Sequence, residues 1–238
     1  MYISAETSAL HTPQRVHQVL NDPRRLNVLS VIALMDTPKE PTFDRLTRLA
    51  SRLIGAPVSL VALIDHDRAF FKSSFGLPES TRQMPMSHSV CKHVVVGHQP
   101  LVVSDARTVD FLRENAAVTD MGIVGYLGIP LMTSDGHALG SFCVIDTVVR
   151  EWTDDDIAVM KDLADTTMAL LEMRAQLYTL KSQTETKMRG LMAQMVQAEI
   201  KRKETVNAQK QTLSHLMGLI EEYAPDRDIL ALVGSKVL

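Results

Sequence analysis

Residues 57–64 read Pro-Val-Ser-Leu-Val-Ala-Leu-Ile, an apolar run broken by one serine. A half-exposed strand would alternate; a continuous short run is expected of a central strand buried on both faces. Asp65-His66-Asp67 follows with turn chemistry, and residues 69–75 read as the return strand of a hairpin closed by Gly76. Upstream, Thr12-Pro13 and Asn21-Asp22-Pro23 are helix starts, a capping side chain before a proline in the first turn. Leu26, Leu29, Val31-Ile32 and Met35 recur at helical spacing, and Asp36-Thr37-Pro38 is expected to end that helix. A second helix follows Pro41, with Phe43, Leu46, Leu49-Ala50 and Leu53-Ile54 on one stripe and Gly55 as a left-handed cap.

Downstream, residues 85–93 read Pro-Met-Ser-His-Ser-Val-Cys-Lys-His, placing a thiol and two imidazoles within six residues. A short helix is expected to start there, near Ser87 or Ser89. Residues 101–103 form a short strand. Residues 105–122 are a long polar segment with room for a helical turn at Phe111-Leu112, and so long a loop is usually functional or mobile. Strands at 123–132 and 138–145 are joined by Ser-Asp-Gly-His, whose Asp-Gly is a hairpin signal. Thr153 before Asp154, Asp155 and Asp156 is an N-cap followed by acids at the positive end of a helix dipole. No proline follows until Pro225, so one helix over residues 153–223 would run about 105 Å. Leu163, Leu170, Leu177, Leu191 and Ala198 keep a seven-residue register, with Met160, Thr167, Met188 and Met195 beside it, as in a coiled-coil seam. Residues 199–211 are almost wholly polar, and the seam recovers at Leu213, Leu216 and Ile220.

The 238 residues are 45% hydrophobic and 22% charged, ordinary globular material. A net charge of -3 gives no basic footprint for nucleic acid. No apolar run approaches the roughly 18 residues that span a bilayer. Residues 1–22 lack a signal-peptide pattern, which leads to a cytoplasmic expectation. Two cysteines, Cys91 and Cys143, exclude a disulfide scaffold and fit a reducing compartment.

The order helix, helix, hairpin, short helix, strand, long loop, hairpin, long helix resembles a GAF domain. Asp36-Thr37-Pro38, Phe43-Asp44-Arg45-Leu46, residues 61–65 (Val-Ala-Leu-Ile-Asp) and residues 70–73 (Phe-Phe-Lys-Ser) carry the likeness. So do residues 87–93, residues 100–107 (Pro-Leu-Val-Val-Ser-Asp-Ala-Arg), residues 126–131 (Tyr-Leu-Gly-Ile-Pro-Leu), residues 136–146 (Gly-His-Ala-Leu-Gly-Ser-Phe-Cys-Val-Ile-Asp) and Trp152-Thr153. They resemble the GAF modules of bacterial sensor kinases, diguanylate cyclases and serine phosphatases over about residues 24–175. The resemblance implies an α+β fold: a central antiparallel sheet with helices on one face, a ligand pocket on the other, and terminal helices that pair between subunits. The expected organisation is an arm at 1–22, loosely held, a sensory domain at 23–175, a coiled-coil helix at 176–224 and a short apolar tail at 225–238.

His88, Cys91, His93, Asp105, Arg107, Tyr126, Phe142 and Cys143 are the candidate ligand-binding residues. A thiolate with two imidazoles suits zinc, iron or haem, but on a regular helix His93 points away from Cys91. The competing reading makes Cys91 a small buried hydrophobe and gives one histidine to loop carbonyls. Cys91 and Cys143 are either two unrelated buried thiols or, if they approach across the sheet, a redox pair. Arg107 either holds an anionic ligand or pairs with Asp105. Tyr126 shares strand parity with Gly128, opposite Leu127, Ile129 and Leu131, and is expected to face the pocket. The expectation is a non-catalytic sensory module, homodimeric through residues 153–223, with a downstream signalling protein as partner, an unidentified small ligand, no nucleic acid, no membrane, no metal and no identified cofactor. The alternatives are a thiol-based redox sensor or small enzyme using Cys91, or a chromophore-, haem- or metal-binding sensor.

Overall fold

The computed structural model describes residues 8–223; the first seven residues and the expected tail at 225–238 lie outside them. Contacts divide the chain into one unit ending at Thr179 and a second beginning at Leu180.

The first unit is built on a six-stranded antiparallel sheet. Its strands are β1 (Val58–Ile64), β2 (Arg68–Phe75), β3 (Gln83–Pro85), β4 (Leu101–Val103), β5 (Gly125–Met132) and β6 (Ala138–Asp146), in the order β3-β2-β1-β6-β5-β4. The run at 57–64 is β1, central and buried along six of its seven residues, and β6 beside it is buried throughout. Alternate residues of these strands therefore enter two separate cores. Val61, Leu63, Leu127, Ile129, Leu131, Phe142 and Val144 face one. Leu60, Ala62, Ile64, Tyr126, Cys143 and Ile145 face the other.

The first core is covered by α2 (Pro23–Ile32), α3 (Pro41–Ile54) and the start of α6 (Asp154–Tyr223), through Leu29, Phe43, Ile54, Met160, Leu163 and Leu171. Helix α6 opens on a reciprocal cap: the Asp156 amide donates to Thr153 Oγ1 at 3.0 Å, and the Thr153 amide to Asp156 Oδ2 at 2.9 Å. Trp152 Nε1 donates to the Val103 carbonyl at 2.9 Å, and Arg150 to the Ile54 carbonyl at 2.6 Å, tying the start of α6 to β4 and α3. An extra residue, Lys72, bulges β2 between partners of Val61 and Ala62, so Lys72 and Ser73 both turn toward the helices. The fully buried Lys72 ammonium donates to Glu40 at 2.6 Å, Thr37 Oγ1 at 2.7 Å and the Pro38 carbonyl at 2.9 Å. Arg174 of α6 reaches the other oxygen of Glu40 at 2.5 Å. Burial pushes Glu40 up, but the hydrogen bonds from Arg174 and Lys72 outweigh it and hold the carboxyl below its ordinary value.

The second core is covered by α4 (Cys91–Gly97), the loop with α5 (Ala116–Thr119) and α1 (Pro13–Leu20). The expected loose arm at 1–22 is thus, from Ser8 onward, a 3₁₀ turn (Ser8–His11) and a helix that buries Leu20. Arg25, 2% exposed, holds this helix in place. It donates to the Val19, Leu20 and Ile64 carbonyls, joining the end of α1 to the end of β1. Helix α2 stops at Ile32, with Ala33 left-handed at φ 52°, rather than running to Met35. Leu34, 3% exposed, then enters the first core from the loop.

Strands β1 and β6 approach closely at Gly140, where an added Cβ would stand 2.0 Å from the Ala62 carbonyl oxygen. We expect Gly140→Ala to lower unfolding free energy in urea by about 3 kcal/mol, by forcing these central strands apart.

Candidate functional site

The 3₁₀ turn Met86–His88 leads through Val90 into α4. Lys92 Nζ donates to the Met86 carbonyl at 2.7 Å, and Asn115 Nδ2 to the Ser89 carbonyl at 3.3 Å, so the turn is held from two sides. His88 stays in the turn, partly exposed, 3.9 Å from Asp120. Cys91 points to the sheet. His93, two residues on, points the opposite way along the helix surface, toward the N-terminal segment. The three residues that suggested a metal are thereby sent in three directions. Among the described residues, the group of three possible ligands within 4.8 Å of one another is Asp65, His66 and Asp67, in the β1–β2 turn. There Asp65 accepts from His66 Nδ1 at 2.9 Å and raises its pKa.

His93 meets His11, with the two Nδ1 atoms 3.2 Å apart. Phe111 completes the cluster, stacked on His11 at 4.1 Å and tilted against His93 at 4.9 Å. A hydrogen bond at that distance between neutral rings requires one proton between the Nδ1 atoms, which gives one ring its hydrogen on Nδ1 and the other on Nε2. Neither Nε2 finds a partner among the described residues, although both are buried. Burial lowers His11 to about 4. Burial, then Lys92 and His11, takes His93 well below 6.5. Both rings are neutral at pH 7. They line a cleft of about 770 Å³ between α1, the Met86–His88 turn, α4 and the loop before α5, with Lys92, Asp110 and Glu114 also at its wall.

On the sheet side of α4, Cys91 Sγ lies 3.7 Å from Cys143 Sγ of β6. The Tyr126 hydroxyl donates to Cys91 Sγ at 3.4 Å and is 3.4 Å from Ser141 Oγ. Its ring lies over Gly128, where an added Cβ would come within 2.6 Å of it. Tyr126 does face the second core as strand parity requires, but it is fully buried there. Phe142 is on the other side of β6 from Cys143, packed in the helix-covered core, because adjacent strand residues alternate faces. Arg107 is a surface residue whose guanidinium fork is filled by Asp105, at 2.8 and 2.7 Å. The structure brings together Cys91, Cys143 and Tyr126, and separates them from Phe142, from the Asp105–Arg107 pair, and from His88. His11 was not among the sequence candidates; a histidine in a short N-terminal segment carries no signal of its partner 82 residues away.

Residues 38–171 match the GAF domain family, and the chain belongs to it. It carries a GAF domain followed by a long helix. A cyclic di-GMP phosphodiesterase of Pseudomonas aeruginosa is 31% identical over 140 residues, 58% of this chain. The match covers 24% of that relative's length. The GAF domain of a phosphoenolpyruvate-protein phosphotransferase from Coxiella burnetii superposes with a TM-score of 0.50 at 16% identity, over 66% of this chain and 96% of that one. The second GAF domain of DevS from Mycobacterium smegmatis gives 0.45 at 19% identity, over 58% and 96%. No helix among the described residues is long and apolar enough to cross a membrane.

The histidine pair predicts a pH dependence. A histidine whose folded value lies below its ordinary 6.5 binds its proton more readily when unfolded. Its contribution is complete above pH 6.5 and is lost as pH falls from 6.5 toward about 4. Hydrogen exchange over residues 11–20 and 91–97 should lose protection across that window, by about 1.4 kcal/mol per pH unit for each proton taken up. His11→Leu should flatten the slope.

Proposed function

We propose that this chain is a non-catalytic sensory module that acts as a parallel homodimer, passing a change at its sensory domain through α6 to a downstream signalling protein. The observation that carries this reading is the fate of the helical seam. Up to Leu171, the apolar stripe of α6 is spent on the chain's own sheet: Met160, Leu163, Thr167 and Leu171 are buried. The same register then continues as exposed side chains, with Leu177 at 57%, Leu191 at 53% and Met195 at 72%. The pairing surface therefore begins after Leu171, later than the 153–223 span that the sequence suggests. An apolar stripe of that length asks for a second helix, and a second copy of the chain is the commonest partner. The named activity of the Pseudomonas relative supports cyclic-dinucleotide signalling as the setting. The cleft beside His11 and His93 is the place we assign to a small ligand, and a shift in helix register or rotation is the change it would bias.

Sedimentation at micromolar concentration should give a dimer, and Leu191→Lys should weaken it roughly tenfold or more, as expected for a charge placed in a buried seam. Single cysteines at positions 188, 191 or 195, on a background lacking Cys91 and Cys143, should each cross-link to the same position of the second copy. A cysteine at 194 should not. A monomer, or cross-links between unlike positions only, would remove the parallel dimer.

A further inference from the structure

Cys91 and Cys143 are 52 residues apart in sequence and place their sulfurs 3.7 Å apart, Cys91 from the first residue of α4 and Cys143 from the middle of β6. A disulfide needs about 2.0 Å, a closure within reach of side-chain rotation and a small approach of α4 to the sheet. The two thiols are not equivalent. The Cys91 thiol is eased below its ordinary value by its hydrogen bond with Cys143, with burial opposing and the Tyr126 hydroxyl helping. Burial drives Cys143 well above. Lys92 is turned away to the Met86 carbonyl, so the polar side chains around Cys91 are Cys143, Tyr126 and Ser141. An attacking thiol and a resolving thiol differ in this way. Cys91 is 5% exposed and Cys143 is fully enclosed, which orders their access to a small reagent from outside.

We propose that Cys91 and Cys143 form a reversible dithiol–disulfide couple within each chain, oxidised by hydrogen peroxide. Cys91 loses its proton and its thiolate attacks one peroxide oxygen. The O–O bond breaks, the second oxygen leaves as hydroxide and takes up a proton to become water, and Cys91 becomes a sulfenic acid. The sulfur of Cys143 then attacks the Cys91 sulfur. The S–O bond breaks, and the departing hydroxide takes the Cys143 proton and leaves as a second water. Two thiols have given up two electrons, and the peroxide has become two waters. Exchange with an external dithiol restores both thiols. The bond would fasten the start of α4 to β6, and with it Lys92 and His93 at the wall of the cleft. Because both sulfurs belong to one chain, the couple stands whether or not the helices pair.

The test uses the full chain, reduced, freed of reductant and exposed to hydrogen peroxide, then blocked with N-ethylmaleimide under denaturing conditions. The expected product is lighter than the reduced chain by two hydrogens before blocking. It yields a Cys91–Cys143 peptide in a non-reducing digest, which dithiothreitol removes. Cys143→Ala should leave a sulfenic acid at Cys91 that dimedone captures. Cys91→Ala should consume peroxide roughly tenfold more slowly or worse, having lost the more reactive thiol. The wild-type digest decides even if a variant fails to fold. Both cysteines blocked by maleimide after peroxide, over-oxidation of Cys91 without a link, or a link found between chains alone would each overturn the proposal.

Discussion

A sheet with apolar side chains on both faces must be covered twice, and the rest of the first unit follows from that requirement. Strands β1 and β6 sit at the middle with almost no exposed residue. Burying them stabilises the fold at roughly 25 cal/mol per Å² of apolar surface on either side. Long helices suffice for one face. The other is closed by small pieces: a helix of seven residues, a loop with a single turn of helix, and the N-terminal α1. Covering by short pieces leaves seams between them, and the cleft beside His11 and His93 is such a seam.

Two buried cations tie these layers together, and they do so by different chemistry. Arg25 has a planar, many-donor head and places it on three backbone carbonyls, with no carboxylate among the described residues in direct contact. It satisfies acceptors that the ends of α1 and β1 would otherwise leave bare. Lys72 has a compact charge and takes a carboxylate, Glu40, which Arg174 shares. One side chain on the α3 approach thus balances a charge from the sheet and another from α6. Removing Glu40 would strand the buried ammonium, a loss larger than the pair's net contribution.

Much of this was legible in the sequence because it rests on local rules. The strand at 57–64, the Thr12 and Asp22 caps, the left-handed Gly55 and the Thr153 start of α6 are each set by neighbouring residues. The end of α2 was misplaced because Ala33 adopts a conformation that its own side chain disfavours, held there by the burial of Leu34. The short β3 was not seen, since Gln83-Met84-Pro85 is largely exposed and ends in proline, whereas the equally short β4 is apolar. At the site, strand parity gave Tyr126 the face it takes, where it is buried in the second core and does not line the cleft, and the same rule sets Phe142 apart from Cys143. The meeting of His11 with His93, and of Cys91 with Cys143, depends on contacts across 82 and 52 residues. No local pattern reports such contacts.

The sheet ends on each side in a strand of three residues, β3 closing at Pro85 and β4 following Pro100. An incoming strand would find only three residues of β3 or of β4 to pair with, and the proline in β3 takes a donor away. Fibre growth by edge-to-edge stacking is therefore blunted at both rims. Crowded copies of the chain are left to associate through side chains rather than through a shared backbone ladder.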